Sequence, residues 1–121
     1  MAGTELIQRS GTGVSIALEP VAGGVPLWRH FGARLGAGAE PDASAWPLAG
    51  ARPLPPNALD GDPALSLLPT HGLGWFGQPA LAGSRIDGSD WAQQFELVAC
   101  EQSEHSLHLT LRDEVAGLNA R

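Results

Sequence analysis

Leu65-Ser66-Leu67-Leu68-Pro69-Thr70-His71-Gly72-Leu73-Gly74-Trp75-Phe76-Gly77-Gln78-Pro79-Ala80-Leu81-Ala82-Gly83-Ser84-Arg85 is the stretch whose reading decides the fold. A short apolar run, Leu65, Leu67 and Leu68, is stopped by Pro69. Gly72, Gly74 and Gly77 then surround Trp75 and Phe76, and Pro79 and Gly83 break the segment again before Arg85. So much Gly and Pro excludes a helix interior and a central strand. Yet the stretch carries Trp, Phe and leucines that solvated loops avoid. An irregular segment packed on a core meets both facts. Gly supplies backbone angles that Cβ-bearing residues resist, and it lets backbone and aromatic ring approach closely. Ordering such a segment costs entropy, so it is expected to hold something in place.

On either side of this stretch the pattern is that of strands. Glu5 to Arg9 is a short strand candidate, followed by a Ser10-Gly11 turn. Thr12, Val14, Ile16 and Leu18 then alternate with Gly13, Ser15, Ala17 and Glu19, which predicts a second strand with one face buried. Val25 to Phe31 reads as a third, with Val25, Leu27 and Phe31 on one face and Trp28 and His30 on the other. Downstream, Asp87-Gly88 is a turn, and Gln93 to Gln102 is a strand with Phe95, Leu97 and Ala99 together. Ser103-Glu104 turns the chain back into His105 to Arg112, with Leu107, Leu109 and Leu111 inward. A Gly117 turn follows. Between these halves, Gly32 to Pro63 holds six prolines and forbids long regular structure. The predicted class is all-β, an antiparallel β-sandwich, with a long Pro/Gly-rich loop at about 33–63.

Composition narrows the function. The chain has 121 residues, which indicates one domain able to bury roughly two thirds of its unfolded surface. Its net charge of −6, with no lysine, excludes a nucleic-acid stripe and a partner surface for anionic membranes. No apolar run approaches the ~20 residues of a membrane helix. Cys100 is the single cysteine, so no internal disulfide forms. The opening Met-Ala-Gly-Thr-Glu-Leu-Ile-Gln-Arg-Ser is too polar for a signal peptide, and a cytoplasmic location is expected.

The candidate chemistry is sparse. Gly72-Leu73-Gly74-Trp75-Phe76-Gly77 has the letters of a dinucleotide motif, but Pro79 and Gly83 leave room for about one helical turn where that motif needs a helix to hold pyrophosphate. His105 and His108 stand at an odd spacing on one predicted strand, and His30, His71 and Cys100 have no partner at ligand spacing, so no metal site is expected. Asp60 and Asp62, beside Gly61 and Pro63, read as a turn rather than a carboxylate pair for glycosidic chemistry. No serine has the strand–elbow–helix context of a nucleophile. What remains is four tryptophans. Trp28 reads as a core anchor, whereas Trp46 and Trp75 lie in loops, where an indole face can stack on a sugar.

A resemblance adds to this reading. Leu68-Pro69, Gly72, Gly74, Phe76-Gly77, Pro79, Leu81, Gly83 and Arg85 resemble the signature of the N-terminal β-sandwich of α-galactosidases of glycoside hydrolase family 36. Upstream, Pro26 to Leu35 is similar to the family's aromatic-Gly-x-x-Leu strand end, with Phe31 where Trp is more usual. Downstream, Leu111-Arg112-Asp113 with Gly117-Leu118 resembles a turn that leads into the next strand. Together these pieces reach from about Val14 to Leu118.

The resemblance implies a parent enzyme that cleaves terminal α-linked galactose with retention. It would use two aspartates on a (β/α)8 barrel that follows the sandwich, and no cofactor. Residues 1–121 are then expected to be an incomplete, non-catalytic sandwich portion without the barrel. The family's oligomers bring loops of this region toward a neighbouring subunit's sugar site. The Asp42 to Asp60 loop takes that position, with Arg52 as hydrogen-bond donor and Trp46 as stacking platform. Trp75 is the third sugar-binding candidate. A homo-oligomer is expected, with α-galactoside sugars as partners of the parent enzyme. The competing readings are a self-standing carbohydrate-binding module and a purely structural or oligomerisation domain.

Overall fold

The computed structural model describes residues 5–36, 45–46, 53–58, 61 and 63–121. Among the described residues six strands form two antiparallel sheets. The first contains β1 (Ile7–Ser10), β2 (Val14–Glu19) and β3 (Leu27–Ala33) in that order. The second contains β4 (Glu96–Gln102), β5 (Leu107–Asp113) and β6 (Leu118–Ala120). The all-β, sandwich-like class predicted from the alternation is what the chain adopts. Among the described residues no helix is long and apolar enough to cross a membrane. Asp60 and Asp62, read as a turn, lie outside the described residues, as does most of the 33–63 loop.

Two bulges alter the faces expected from simple alternation. Across β2 and β3, Ala17 faces His30 but Leu18 faces Trp28, so Arg29 is an extra residue. An inserted residue reverses which side chains share a face. Trp28 therefore shares a side with Phe31, its ring edge-on at 5.9 Å, rather than with His30. Phe31 is 75% exposed, not buried. On β2 burial does not follow a simple alternation of faces. Ser15 and Ala17 are almost fully buried, Val14 is exposed and Ile16 is half-buried. The small side chains are covered because the chain crosses back over them: Leu35 N donates to Ser15 Oγ at 3.1 Å, and Trp46 packs on His30, which faces Ala17.

The second bulge leaves Val98 unpaired in β4. Leu97 faces Leu111, but Cys100, not Ala99, faces Leu109. The expected grouping of Phe95, Leu97 and Ala99 on one side is broken at that point. β5 follows its pattern, with Leu107, Leu109 and Leu111 inward and Arg112 outward, while exposed His108 also borders the groove that the leucines line. His105 falls in the preceding hairpin, where Ser103 N donates to Ser106 O at 2.9 Å, and not on the strand.

The Leu65–Arg85 stretch joins the sheets. Its start extends the first sheet. Trp28 N donates to Leu65 O at 2.9 Å and Leu67 N to Pro26 O at 2.8 Å. Leu67, Leu68 and Leu73 then pack on a core of Val25, Phe95 and Leu111. Pro69 ends the extended run, and Thr70, fully buried, donates its hydroxyl to Gln93 O at 2.7 Å. A single 3-10 turn, His71–Leu73, follows and is closed by Gly74 at φ 79°, a left-handed angle that glycine adopts freely. Gly72 lies directly on the Ala92–Gln93 backbone, where an added Cβ would meet Ala92 O at 2.6 Å and Gln93 O closer still.

The turn fails to accommodate any side chain at that position unless the pinned backbone retreats. Gly72→Ala is therefore expected to lower stability by about 1–3 kcal/mol, in the range of overpacking penalties. Urea unfolding should show a lower midpoint at unchanged slope.

Candidate functional site

Around the pinned turn the chain builds a hydrogen-bonded knot from residues far apart in sequence. Gly88 N donates to Arg85 O and Arg85 N to Ser89 O, both at 2.9 Å, so residues 85–89 close on themselves. Gly88 at φ 83° and Asp90 at φ 56° allow the reversal. Asp87 Oδ1 accepts from Ser89 N at 2.9 Å and Ser89 Oγ at 2.7 Å. Those bonds, the hydroxyl first, hold the Asp87 carboxyl below its ordinary pKa. Arg85 pairs with Asp90 at 2.5 Å through Nε and donates through Nη2 to Ala116 O at 2.7 Å. The loop is thereby tied to the β5–β6 turn.

Gln93, which is buried, donates its amide to Gly83 O at 2.8 Å and Asp90 O at 2.7 Å. Asp113, also buried, accepts from Ala116 N at 2.9 Å and from Gln94 N at 2.8 Å. The Ala116 bond foremost, with desolvation opposing and the Gln94 bond adding, holds the Asp113 carboxyl below the usual carboxylate range. Its ionised state and its two occupied oxygens suit an anchor rather than a general acid.

A cavity of about 200 Å³ is lined by knot residues themselves, Arg85, Asp90, Gln93 and Ala116 among them. A polar cleft of about 430 Å³ is lined by Asp90, Gln93, Gln94, Glu96, Arg112 and Asp113, among others. An apolar groove of about 330 Å³ lies between the sheets, lined by Ile16, Leu18 and Trp28 from one and Leu107, Leu109 and Leu111 from the other. Among the described residues no three His, Cys, Asp or Glu side chains are grouped to hold a metal ion.

The residues singled out in the sequence do not converge on one of these cavities. Trp46, helical with Ala45, is only 7% exposed, and its ring lies 5.7 Å from that of His30. Its Nε1 has no hydrogen-bond partner among the described residues. Trp75 is half-buried. Its indole covers Gly77, and Nε1 donates to Gln78 O at 3.1 Å. Its carbonyl is held 3.0 Å from His71 Nδ1. Arg52 lies outside the described residues. The glycine-rich letters open a single 3-10 turn and no long helix.

The knot explains the recurring letters. Gly72, Arg85, Asp113 and Gly117 are all positions of the knot or of the turns it joins, with Gly117 at φ 68° leading into β6. Thr70, Gln93 and Gln94 belong to it equally, and nothing in the sequence marked them. An isolated Thr or Gln carries no periodicity; the partners of the Thr70 and Gln94 side chains lie 23 and 22 residues away, and those of Gln93 are carbonyls of Gly83 and Asp90.

Such a set of contacts defines a class of domain rather than a chemistry, and the comparison with known proteins names that class. Residues 24–121 match the glycosyl hydrolase family 36 N-terminal domain, and the chain belongs to that family. An α-galactosidase of Escherichia coli is 42% identical over 67 residues, covering 55% of this chain and 9% of that enzyme. The chain therefore matches under a tenth of that relative's length. No solved structure matches the chain.

The Asp113 anchor has a pH signature. A carboxyl whose folded pKa lies below the unfolded value of about 3.9 contributes stability above that value and loses it as pH falls through the folded one. Stability is expected to decline below about pH 4, and Asp113→Asn should flatten that part of the curve. At neutral pH the substitution leaves a backbone N–H facing an amide donor and should cost about 1–3 kcal/mol. Urea midpoints of both proteins across the acid range test this.

Proposed function

We propose that residues 1–121 are the non-catalytic sandwich portion of an α-galactosidase, whose bond-breaking aspartates stand on a barrel elsewhere in the parent polypeptide. The 42% identity to an α-galactosidase carries this reading. The chemistry of the knot supports it. Two carboxylates of the polar cleft are committed: Asp113 accepts backbone N–H groups and Asp90 is paired with Arg85. The role of the region is assembly and support of the sugar site, with no cofactor.

The loop spanning Asp42 to Asp60 is the element proposed to reach a neighbouring subunit's galactose, with Arg52 donating to a sugar hydroxyl. Trp46, within that span, is packed on His30 and serves better as an anchor than as an open stacking face. The same burial, and the engagement of the Trp75 indole N–H with Gln78, weigh against a self-standing sugar-binding module. A cytoplasmic homo-oligomer completes the proposal.

The purified 121-residue chain should release no chromophore from an aryl α-galactoside; measurable turnover would refute the non-catalytic reading. In the full-length parent, Arg52→Ala should raise KM for the galactoside several-fold while kcat stays near its original value. An unchanged KM removes Arg52 from the sugar site.

A further inference from the structure

The glycine-punctuated turn folds one aromatic ring inward and presents the next to solvent. Ala80 N donates to Pro69 O at 2.8 Å and closes the base of the turn. Within it, Leu73 N and Trp75 N both donate to Thr70 O, at 3.1 and 3.3 Å, and Trp75 Nε1 is taken by Gln78 O. Gln94 Nε2 donates to Gly72 O at 3.2 Å from outside the turn. Phe76, on this framework, is 94% exposed. The backbone is tied on both sides of it, so the turn cannot carry the ring inward. The cost of ordering that backbone is therefore met before any ligand arrives. Every one of these bonds lies within residues 69–80 or runs to Gln94, which makes the presentation a local property of the turn.

Other side chains of the turn define a ligand chemistry. His71 is exposed, and its Nδ1 lies 3.0 Å from Trp75 O. A carbonyl only accepts, so in the neutral ring Nδ1 carries the hydrogen and Nε2 is an acceptor. Exposed Gln78 adds a side-chain amide that both donates and accepts. Residues 64–84 contain no Asp, Glu, Lys or Arg, in a chain whose net charge is −6. The turn thus offers an apolar ring face, a neutral acceptor and a neutral amide. A charged ligand finds no counter-charge on it. A pyranose, with a C–H face and a rim of hydroxyls that donate and accept, is matched by all three groups.

The geometry points to Phe76 as a sugar-contacting residue, its ring stacked on the C–H face of a neutral hexopyranosyl unit of the galactoside, with His71 Nε2 accepting from a sugar hydroxyl. This inference rests on the galactosidase reading and adds a contact which that reading does not contain. It moves to Phe76 the stacking role that the sequence suggests for Trp75, whose indole covers Gly77 and donates to Gln78 O.

Steady-state kinetics of the full-length parent on a galactosyl oligosaccharide test it. Phe76→Ala should raise KM about fivefold or more, with kcat near its original value. Phe76→Trp, which keeps a ring face, should restore KM. His71→Ala should raise KM by a smaller factor. Ile86→Ala, at a second exposed apolar loop position, should leave both constants unchanged. Because the Phe76 ring is exposed, Phe76→Ala should move neither the urea midpoint of the 121-residue chain nor the melting temperature of the parent. A parent destabilised by Phe76→Ala at unchanged KM would mean that the ring is covered by the rest of the polypeptide, and overturns the inference. An unchanged KM at unchanged stability, or a KM raised equally by Phe76→Ala and Phe76→Trp, overturns it as well. Those three outcomes leave the galactosidase reading standing. An unmodified parent that does not hydrolyse an aryl α-galactoside refutes that reading, and the inference with it.

Discussion

The contact of Gly72 and Thr70 with the Ala92–Gln93 backbone is the constraint on which the rest of the structure depends. The two sheets share no strand pairing, and each is a small meander with little capacity to bury surface alone. They are held together by one direct bond, from Leu97 N to Gly24 O at 3.0 Å, and by an irregular segment that extends the edge of the first and is bonded through Thr70 to the approach of the second. Both residue types follow from that position. A buried carbonyl needs a donor, which the threonine hydroxyl supplies, and two backbones can lie in contact only where one of them lacks a Cβ. The apolar part of the joint, Leu67, Leu68 and Leu73 against Val25, Phe95 and Leu111, becomes available only once the turn is fixed.

The sequence was most legible where one physical rule acts alone. β5 alternates without interruption, and its leucines face inward as the period requires. Gly88 and Gly117 stand where the chain reverses at positive φ. Legibility failed where a single inserted residue changed the parity. Nothing in Leu27-Trp28-Arg29-His30-Phe31 announces that Arg29 is the extra one, because the bulge is fixed by pairing with β2 and not by local preference. The same holds for Val98. The burial of Ser15 and Ala17 was hidden for a different reason. Small side chains are covered there because other chain segments cross them, a long-range fact that no window on β2 contains.

Of the candidate site residues, the sequence correctly set Trp46 and Trp75 apart from the strands, but it could not assign their orientation. An indole at a loop position offers the same letter whether its face is open or turned inward. Trp46 is nearly buried against His30, and Trp75 closes over a glycine in its own turn. Arg85 was visible as a terminal landmark of the glycine-rich stretch. Its part as the tie between Asp90 and the β5–β6 turn required the fold.

The distribution of polar groups bears on how such a region contributes to a larger enzyme. A site that performs bond-breaking keeps carboxylates free, poised near neutral pH and close to substrate. Here Asp113 is buried, doubly hydrogen-bonded and held ionised, and Asp90 is committed to Arg85. Both are placed for rigidity. That rigidity is concentrated at one end of the body, where the 85–90 loop, the 3-10 turn and the β5–β6 turn meet. At that end stand Ile86 and Val115, large apolar side chains exposed on backbones that cannot yield. Flexible loops with exposed apolar groups can fold them away, whereas a pinned loop presents them to whatever surface fits. The knot that makes the two sheets one body thereby also fixes where Ile86 and Val115 stand exposed.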